Sequence, residues 1–302
     1  MRVRLKTILC TTDFSEYSNQ TVSYGVAIAK EFDARLLVCH IIDLQFAAIY
    51  GTVHFLPPDL QTQSIETAQE RITDLMASQT VPWEAVVSTG PPADEISRVV
   101  ADREVDLAIS ATHGRTGLKR FILGSVTERL MRSLECPLLV VRETPPDLMP
   151  DPARGLHFNK ILVGCDFSPA ANAALEYGVS LAQEFEAELH LIHVLEPQVY
   201  SDFLATTLDG VHGETGDIKE KLDQRLTNLI TPEAMNWCRI STAVTEGRPF
   251  EAITDYAGDN GIDLVVLGVR GHGVVETLFL GSTTDRVVRK AQCPVLSVSP
   301  AD

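Results

Sequence analysis

Leu264-Val265-Val266-Leu267-Gly268-Val269-Arg270-Gly271, separated by nine residues from Gly281-Ser282, decides the fold of this 302-residue chain. An apolar run that reads as a buried strand passes into a glycine-rich loop, and an amphipathic helix begins where the loop ends. The same passage stands 157 positions upstream as Leu107-Ala108-Ile109-Ser110-Ala111-Thr112-His113-Gly114 and Gly124-Ser125. Strand, glycine loop and helix start make an anion cradle. Glycine lets a ligand approach the backbone, and the first N–H groups of a helix have no acceptor within it.

The duplication extends outward over the whole chain. Thr7-Ile8-Leu9-Cys10-Thr11-Thr12-Asp13-Phe14-Ser15 matches Lys160-Ile161-Leu162-Val163-Gly164-Cys165-Asp166-Phe167-Ser168 at an offset of 153. Gly90 and Pro92 match Gly247 and Pro249, and Cys136-Pro137-Leu138-Leu139-Val140-Val141 matches Cys293-Pro294-Val295-Leu296-Ser297-Val298, both at 157. A repeat of that length is domain-sized, so the sequence predicts two tandem domains, 1–143 and 158–302. Residues 144–157 join them, and Thr144 to Pro152 holds four prolines in nine residues, the composition of an extended linker.

Each half alternates apolar strands with helical periodicity. In the first, strands are predicted at Thr7–Thr11, Arg35–Ile42, Trp83–Ser88, Asp106–Ala111 and Pro137–Val141. Helices are predicted over the stretch carrying Val22, Val26, Ala29 and Phe32, then at Ser64–Gln79, Ala93–Arg103 and Ser125–Leu134. Near-continuous apolar strands separated by helices imply an open five-stranded parallel sheet covered on both faces. Ligands of such sheets bind beyond the carboxyl ends of the strands, where Asp13, Ile41 and the Ala111–Gly114 loop fall.

Composition narrows the function. The chain is 45% hydrophobic and 22% charged, ordinary for a soluble protein, and its formal charge of −16 opposes nucleic acid and anionic membrane as partners. Six cysteines without C-x-x-C spacing read as reduced core thiols of a cytoplasmic protein, and no apolar run approaches the roughly 20 residues of a bilayer span. There is no G-x-x-x-x-G-K-[ST], H-E-x-x-H or G-x-S-x-G. The glycine loop follows the fourth strand, not the first, which argues against a dinucleotide fingerprint.

The strand-end Thr12-Asp13-Phe14-Ser15, the strands ending His40-Ile41 and His193-Val194, the G-x-P turns and above all G-x-x-G-(nine)-G-S resemble the universal stress protein family in its tandem form. The resemblance implies an adenine nucleotide α-hydrolase-like, Rossmann-type α/β domain in each half, which binds ATP in members bearing this glycine pattern. It implies that Asp13 and Asp166 reach the ribose and phosphates or their Mg²⁺, and that the backbone of Ile41 and Val194 meets adenine. Gly268, Arg270, Gly271, Gly281, Ser282 and Thr283 in one half, with Gly114, Gly124, Ser125 and Val126 in the other, are then the ribose and phosphate contacts.

Local readings compete with these roles. Ser125-x-x-Glu128 and Ser282-x-x-Asp285 also fit the serine-capped start of a helix, and Asp13 and Asp166 fit turn residues bonding their own backbone. His40 and His193 read as packed or hydrogen-bonded histidines, whereas His113, Arg115, Arg270 and His272 flank the glycines and could face phosphate or water. The expected protein is a nucleotide-binding stress regulator or sensor with an unidentified protein partner. A slow ATP hydrolase or phosphotransferase, or an interaction module with vestigial pockets, is the alternative. The apolar terminal strands are expected to pair the two halves within the chain or to support a homodimer. The second half should bind more tightly, because Ala111 replaces Gly268 in the first and its methyl would crowd the ribose, although Glu276 stands in the place of Lys119 and charge pulls the other way.

Overall fold

The computed structural model describes residues 3–43, 58–112, 123–142, 150, 155–196, 215–269 and 281–300. It divides the chain into two compact units, Arg4–Leu156 and His157–Asp302 with Met1–Val3. The first contains β1 (Thr7–Thr11), α1 (Glu16–Phe32), β2 (Arg35–Ile42), α2 (Pro58–Met76), β3 (Trp83–Thr89), α3 (Pro92–Asp102), β4 (Leu107–Ala111), α4 (Ser125–Ser133) and β5 (Leu138–Val141). The second contains β6 (Lys160–Gly164), α5 (Pro169–Glu184), β7 (Glu188–Leu195), α6 (Thr215–Asn228), α7 (Pro232–Met235), β8 (Ile240–Glu246), α8 (Pro249–Asn260), β9 (Leu264–Gly268), α9 (Ser282–Lys290) and β10 (Val295–Val298).

Each unit is an open sheet whose strands, among the described residues, pair in parallel. The orders are β3-β2-β1-β4-β5 and, in matching sense, β8-β7-β6-β9-β10. The strand order reverses between β1 and β4, and again between β6 and β9, the place where such sheets leave a crevice. Strand composition explains the layering. β4 (Leu-Ala-Ile-Ser-Ala) is buried at every position, as helices on both faces require, whereas the outer strands β3 and β8 are only half-buried nearly throughout.

Helix α1 starts because Ser15 accepts the N–H of Ser18, and it stops at Asp33, left-handed at φ 51°. Ser168 caps α5 the same way, accepting from Ala171. Gly25 and Gly178, matched positions on α1 and α5, let these helices lie close on the sheet: a Cβ would run into Cys10 Sγ at one and Val163 Cγ2 at the other. At the amino ends of the strands, Asp106 Oδ2 accepts the N–H groups of Lys6 and Thr7 at 2.7 and 2.9 Å, and Asp263 Oδ2 those of Asn159 and Lys160 at the same distances. This matched carboxylate pair is structural and lies at the opposite end from Asp13 and Asp166.

Several boundaries differ from the periodicity by one to six residues. Helix α2 begins at Pro58, ahead of Ser64, because proline suits a first helical turn where its missing N–H costs nothing. The last strand of each half starts one residue after its proline, at Leu138 and Val295. The prolines still contribute through their carbonyls, which accept the N–H groups of Ala108 and Val265.

Candidate functional site

The chain leaves β1 through a turn built from its own side chains. Asp13 Oδ1 accepts the N–H of Ser15 at 3.0 Å, and Asp166 Oδ1 accepts that of Ser168 at 3.0 Å, so both aspartates brace the turn they occupy. The next residue, Phe14 or Phe167, sits at φ 63° or 62°, a left-handed backbone that a bulky side chain seldom adopts. Different chemistry holds it in the two halves. Thr12 Oγ1 accepts the Phe14 N–H at 2.9 Å, whereas the second half has the sulfur of Cys165 in place of that hydroxyl. Burial drives the Cys165 thiol up to about 11, so it stays protonated.

Both phenylalanine rings lean on a histidine, with centroids 4.4 Å apart for Phe14 and His40 and 4.8 Å for Phe167 and His193. Each histidine places Nδ1 2.7 Å from a main-chain carbonyl, of Thr12 or Cys165. A carbonyl only accepts, so Nδ1 carries the proton. Burial pulls the His193 pKa down, against the raising effects of the Cys165 carbonyl and of Asp166. The imidazoles are therefore packed, hydrogen-bonded turn supports.

The strand pairing then exposes main-chain groups. Cys39 faces Thr11 across the ladder, and its carbonyl takes the N–H of Thr12 at 2.9 Å before β1 turns away. Polar groups alternate sides along a strand, and Ile41, two residues on, directs its N–H and C=O to the same side, past the end of β1. The second half repeats this geometry. Ile192 accepts the N–H of Cys165 at 2.9 Å, and Val194 stands two residues beyond. Each half thus holds a main-chain donor and acceptor beside a strand-end aspartate.

On the other side of β1, the glycine loop is closed at its base. Gly124 donates its N–H to Thr112 O at 2.8 Å, and Gly281 does so to Val269 O at 2.8 Å. The threonine two residues after each Gly-Ser start bonds the strand end beneath: Thr127 Oγ1 to Ala111 O at 2.6 Å, Thr284 Oγ1 to Gly268 O at 2.8 Å. Gly124 and Gly281 are the N-caps of α4 and α9 and provide no side-chain cap. Ser125 and Ser282 are the first helical residues, so the serine-capping alternative gives way to a glycine cap. Among the described residues nothing accepts from the N–H groups of Ser125, Val126, Ser282 or Thr283.

Gly268 has a packing reason for its identity. A Cβ there would meet the backbone of Ala170 at the start of α5, 2.6 Å from its carbonyl carbon and 2.7 Å from its oxygen. The methyl of Ala111 at the matched position is buried against its own unit, 9% exposed. The presence or absence of that methyl therefore bears on helix–strand contact in each unit. Gly114, Arg270 and Gly271, with His113, Arg115 and His272, lie outside the described residues.

No group of three or more His, Cys, Asp and Glu converges among the described residues. All six cysteines are free, and burial holds the Cys39, Cys136 and Cys293 thiols up at about 12. No helix among the described residues is long and apolar enough to cross a membrane.

A parallel sheet whose strand-end aspartate, outward-turned main chain and glycine-capped helix start all gather at the switch in strand order is a Rossmann-like α/β domain, here present twice. Residues 4–142 and 157–299 each match the universal stress protein family. The chain belongs to that family, as a tandem of two of its domains. A universal stress protein of Synechocystis is 24% identical over 320 residues, covering 97% of this chain and 99% of its own. One from Thermus aquaticus is 36% identical over 146 residues, covering 47% of this chain and 98% of its own. In fold, the chain is similar to the crystal structure of a universal stress protein from Archaeoglobus fulgidus, with a TM-score of 0.69 and 21% identity, covering 100% of this chain and 98% of that one.

Sequence reading placed Asp13, Ile41, Gly124 and Ser125 at one end of the sheet, and the structure brings them there, as it does their counterparts. It missed Arg71 and Arg225. Their guanidinium carbons lie 4.0 and 3.9 Å from the centroids of Phe14 and Phe167. The signal was an arginine recurring at an offset of 154, between the two offsets that mark the repeat.

Proposed function

We propose that each half binds an adenine nucleotide at the carboxyl ends of its strands and that the protein acts as a nucleotide-responsive regulator. The observation that carries this reading is the glycine-capped helix start. Its N–H groups at Ser125 and Val126, or Ser282 and Thr283, lack acceptors among the described residues, and it stands across the switch point from a main-chain donor and acceptor at Ile41 or Val194. Phosphates suit the first and an adenine edge the second, with Asp13 or Asp166 between them at the ribose. Gly268, Arg270, Gly271, Gly281 and Gly114 belong to the same proposal as loop contacts. Mg²⁺ would arrive with the nucleotide and neutralise phosphate charge, held on the protein side by Asp13 or Asp166.

Magnitudes require all these parts. Micromolar affinity is about 8 kcal/mol, and a helix terminus gives an anion roughly 0.3 to 2 kcal/mol. Several charge-assisted N–H bonds, about 1.5 to 3 kcal/mol each, and burial of the base supply the remainder. The −16 formal charge works mainly on arrival, since it is screened beyond roughly 8 Å at physiological salt.

Calorimetric titration of the full chain with ATP and GTP tests the reading. ATP binds more tightly than GTP because the base contacts are main-chain groups suited to adenine, and equal affinities sink that assignment. Gly124→Val and Gly281→Val each weaken binding by about tenfold or more with the fold intact, since a branched side chain stands where phosphate approaches the helix start. Turnover slower than about 1 s⁻¹ is expected, because among the described residues the matched histidines, His40 and His193, are tied to main-chain carbonyls and packed on phenylalanine, and the matched aspartates brace their own turns.

A further inference from the structure

We propose that Arg71 and Arg225 form the base-side wall of the two sites, each guanidinium lying on a phenylalanine with one face and offering its other face to a planar heterocycle. The inference rests on the nucleotide-binding reading above and adds a residue to it. Both halves build the arrangement independently, from a helix that packs on the second and third strands of its sheet: α2 on β2 and β3, α6 on β7 and β8. Arg71 sits 4.0 Å over Phe14, whose ring leans on His40, the residue before Ile41. Arg225 sits 3.9 Å over Phe167, which leans on His193, the residue before Val194.

Strand order decides which part of the ligand this wall meets. The arginine lies on the β2 or β7 side of the strand-end aspartate, and the glycine-capped helix start lies on the β4 or β9 side. A nucleotide reaching from Ile41 to Ser125 therefore has its base, not its phosphates, beside the guanidinium. Arg225 shares the neighbourhood of Asp166, since both charges act on His193 and on Cys165. Both arginines are exposed, and neither makes an ion pair among the described residues. With no ion pair among the described residues, a guanidinium held over a ring in strained backbone is preorganised, and a flat partner on its far side completes a stack.

The test is calorimetry on the full chain with ATP, adenosine and inorganic tripolyphosphate, comparing wild type with R71A/R225A and R71K/R225K. The alanine pair should lose about tenfold in affinity for ATP and for adenosine alike, the scale of one base stack. Tripolyphosphate binding should not change. Lysine restores charge without a flat plane and should stay close to alanine. A loss seen with ATP and tripolyphosphate but not with adenosine makes the arginines phosphate contacts and overturns the proposal. Full rescue by lysine, or unchanged affinities, also overturns it. A wild type that takes up neither ATP nor adenosine sinks the nucleotide reading itself, and this one with it. If melting shows the alanine pair unfolded, R71M/R225M keeps an apolar stem on each ring and carries the same comparison.

Discussion

The two halves differ least at the carboxyl ends of their strands and most at the flank of the sheet. At the strand ends, aspartate, left-handed phenylalanine, histidine, stacked arginine and glycine cap all recur. At the flank, the first half has an exposed charge cluster in which Glu84 pairs with Arg35 and Arg103. The second has Ser241 in place of Glu84 and Glu188 in place of Arg35, and it buries His190 where the first has Leu37. His190 is 4% exposed. Its Nδ1 lies 2.9 Å from Tyr256 Oη, and its Nε2 has no hydrogen bond among the described residues, only Glu188 Oε1 at 3.5 Å. Two copies of one fold thus retain the same backbone geometry at one end while exchanging apolar, ionic and titratable groups elsewhere.

The sharpest way to break the comparison is at Gly268. Gly268→Val should destabilise the second unit by about 1 to 3 kcal/mol, because the new Cβ meets Ala170 backbone that cannot rotate away. Ala111→Gly in the first unit should cost about 1 kcal/mol, through strand entropy and the loss of one buried methyl. Urea-dependent hydrogen exchange, read peptide by peptide, separates the units. Similar effects in both halves would mean that the contact with Ala170 does not constrain position 268.

Ser15→Ala and Ser168→Ala come next, each removing a cap from a matched helix at a cost of about 1 kcal/mol. The two should agree closely, and unequal losses would show the turns to be less alike than their bonds.

Acid should distinguish the halves. Burial lowers the His190 pKa, so below the ordinary imidazole value of about 6.5 the unfolded chain takes up a proton that the folded chain resists. Stability contributed by neutral His190 is whole above that pH and declines as pH falls through it. His190→Leu, which installs the first half's residue, should flatten the decline without abolishing it, because His193 is lowered too. Hydrogen exchange at pH 7 and pH 5 checks this, and an unchanged pH dependence would contradict it. Smallest of all is Glu84→Gln. Exposed pairs of this kind are worth about 0 to 1 kcal/mol, and the first unit should hardly respond in a melt.

The strands, and the end of the sheet at which the candidate residues stand, were legible because their signals are local and written twice. Apolar runs such as Leu107–Ala111 state burial on both faces, and an aspartate directly after β1 can only stand at the strand's carboxyl end. Serine at S-x-x-E was ambiguous for a physical reason. Glycine and serine both serve at a helix start, and the pattern does not say which of Gly124 and Ser125 keeps extended backbone. The arginine–phenylalanine contact left only a faint trace, an arginine recurring at an offset of 154, since Arg71 meets Phe14 across 57 positions of chain. Nor does composition reveal that phenylalanine at 14 and 167 takes a positive φ, because nothing in Asp-Phe-Ser excludes an ordinary turn.

On the nucleotide-binding reading proposed above, Ile41 and Val194 would meet the ligand through their main chain, and recognition would then be a question of parity. Exchanging either side chain leaves donor and acceptor where they were, so these positions can drift in identity at little cost to what they bind. Inserting one residue after His40 or His193 does the reverse: it swaps odd for even, turns the outward pair toward β3 or β8, and presents the next residue's opposite edge. A substitution scan would pass over these two positions as silent, and only a change in count would reveal them.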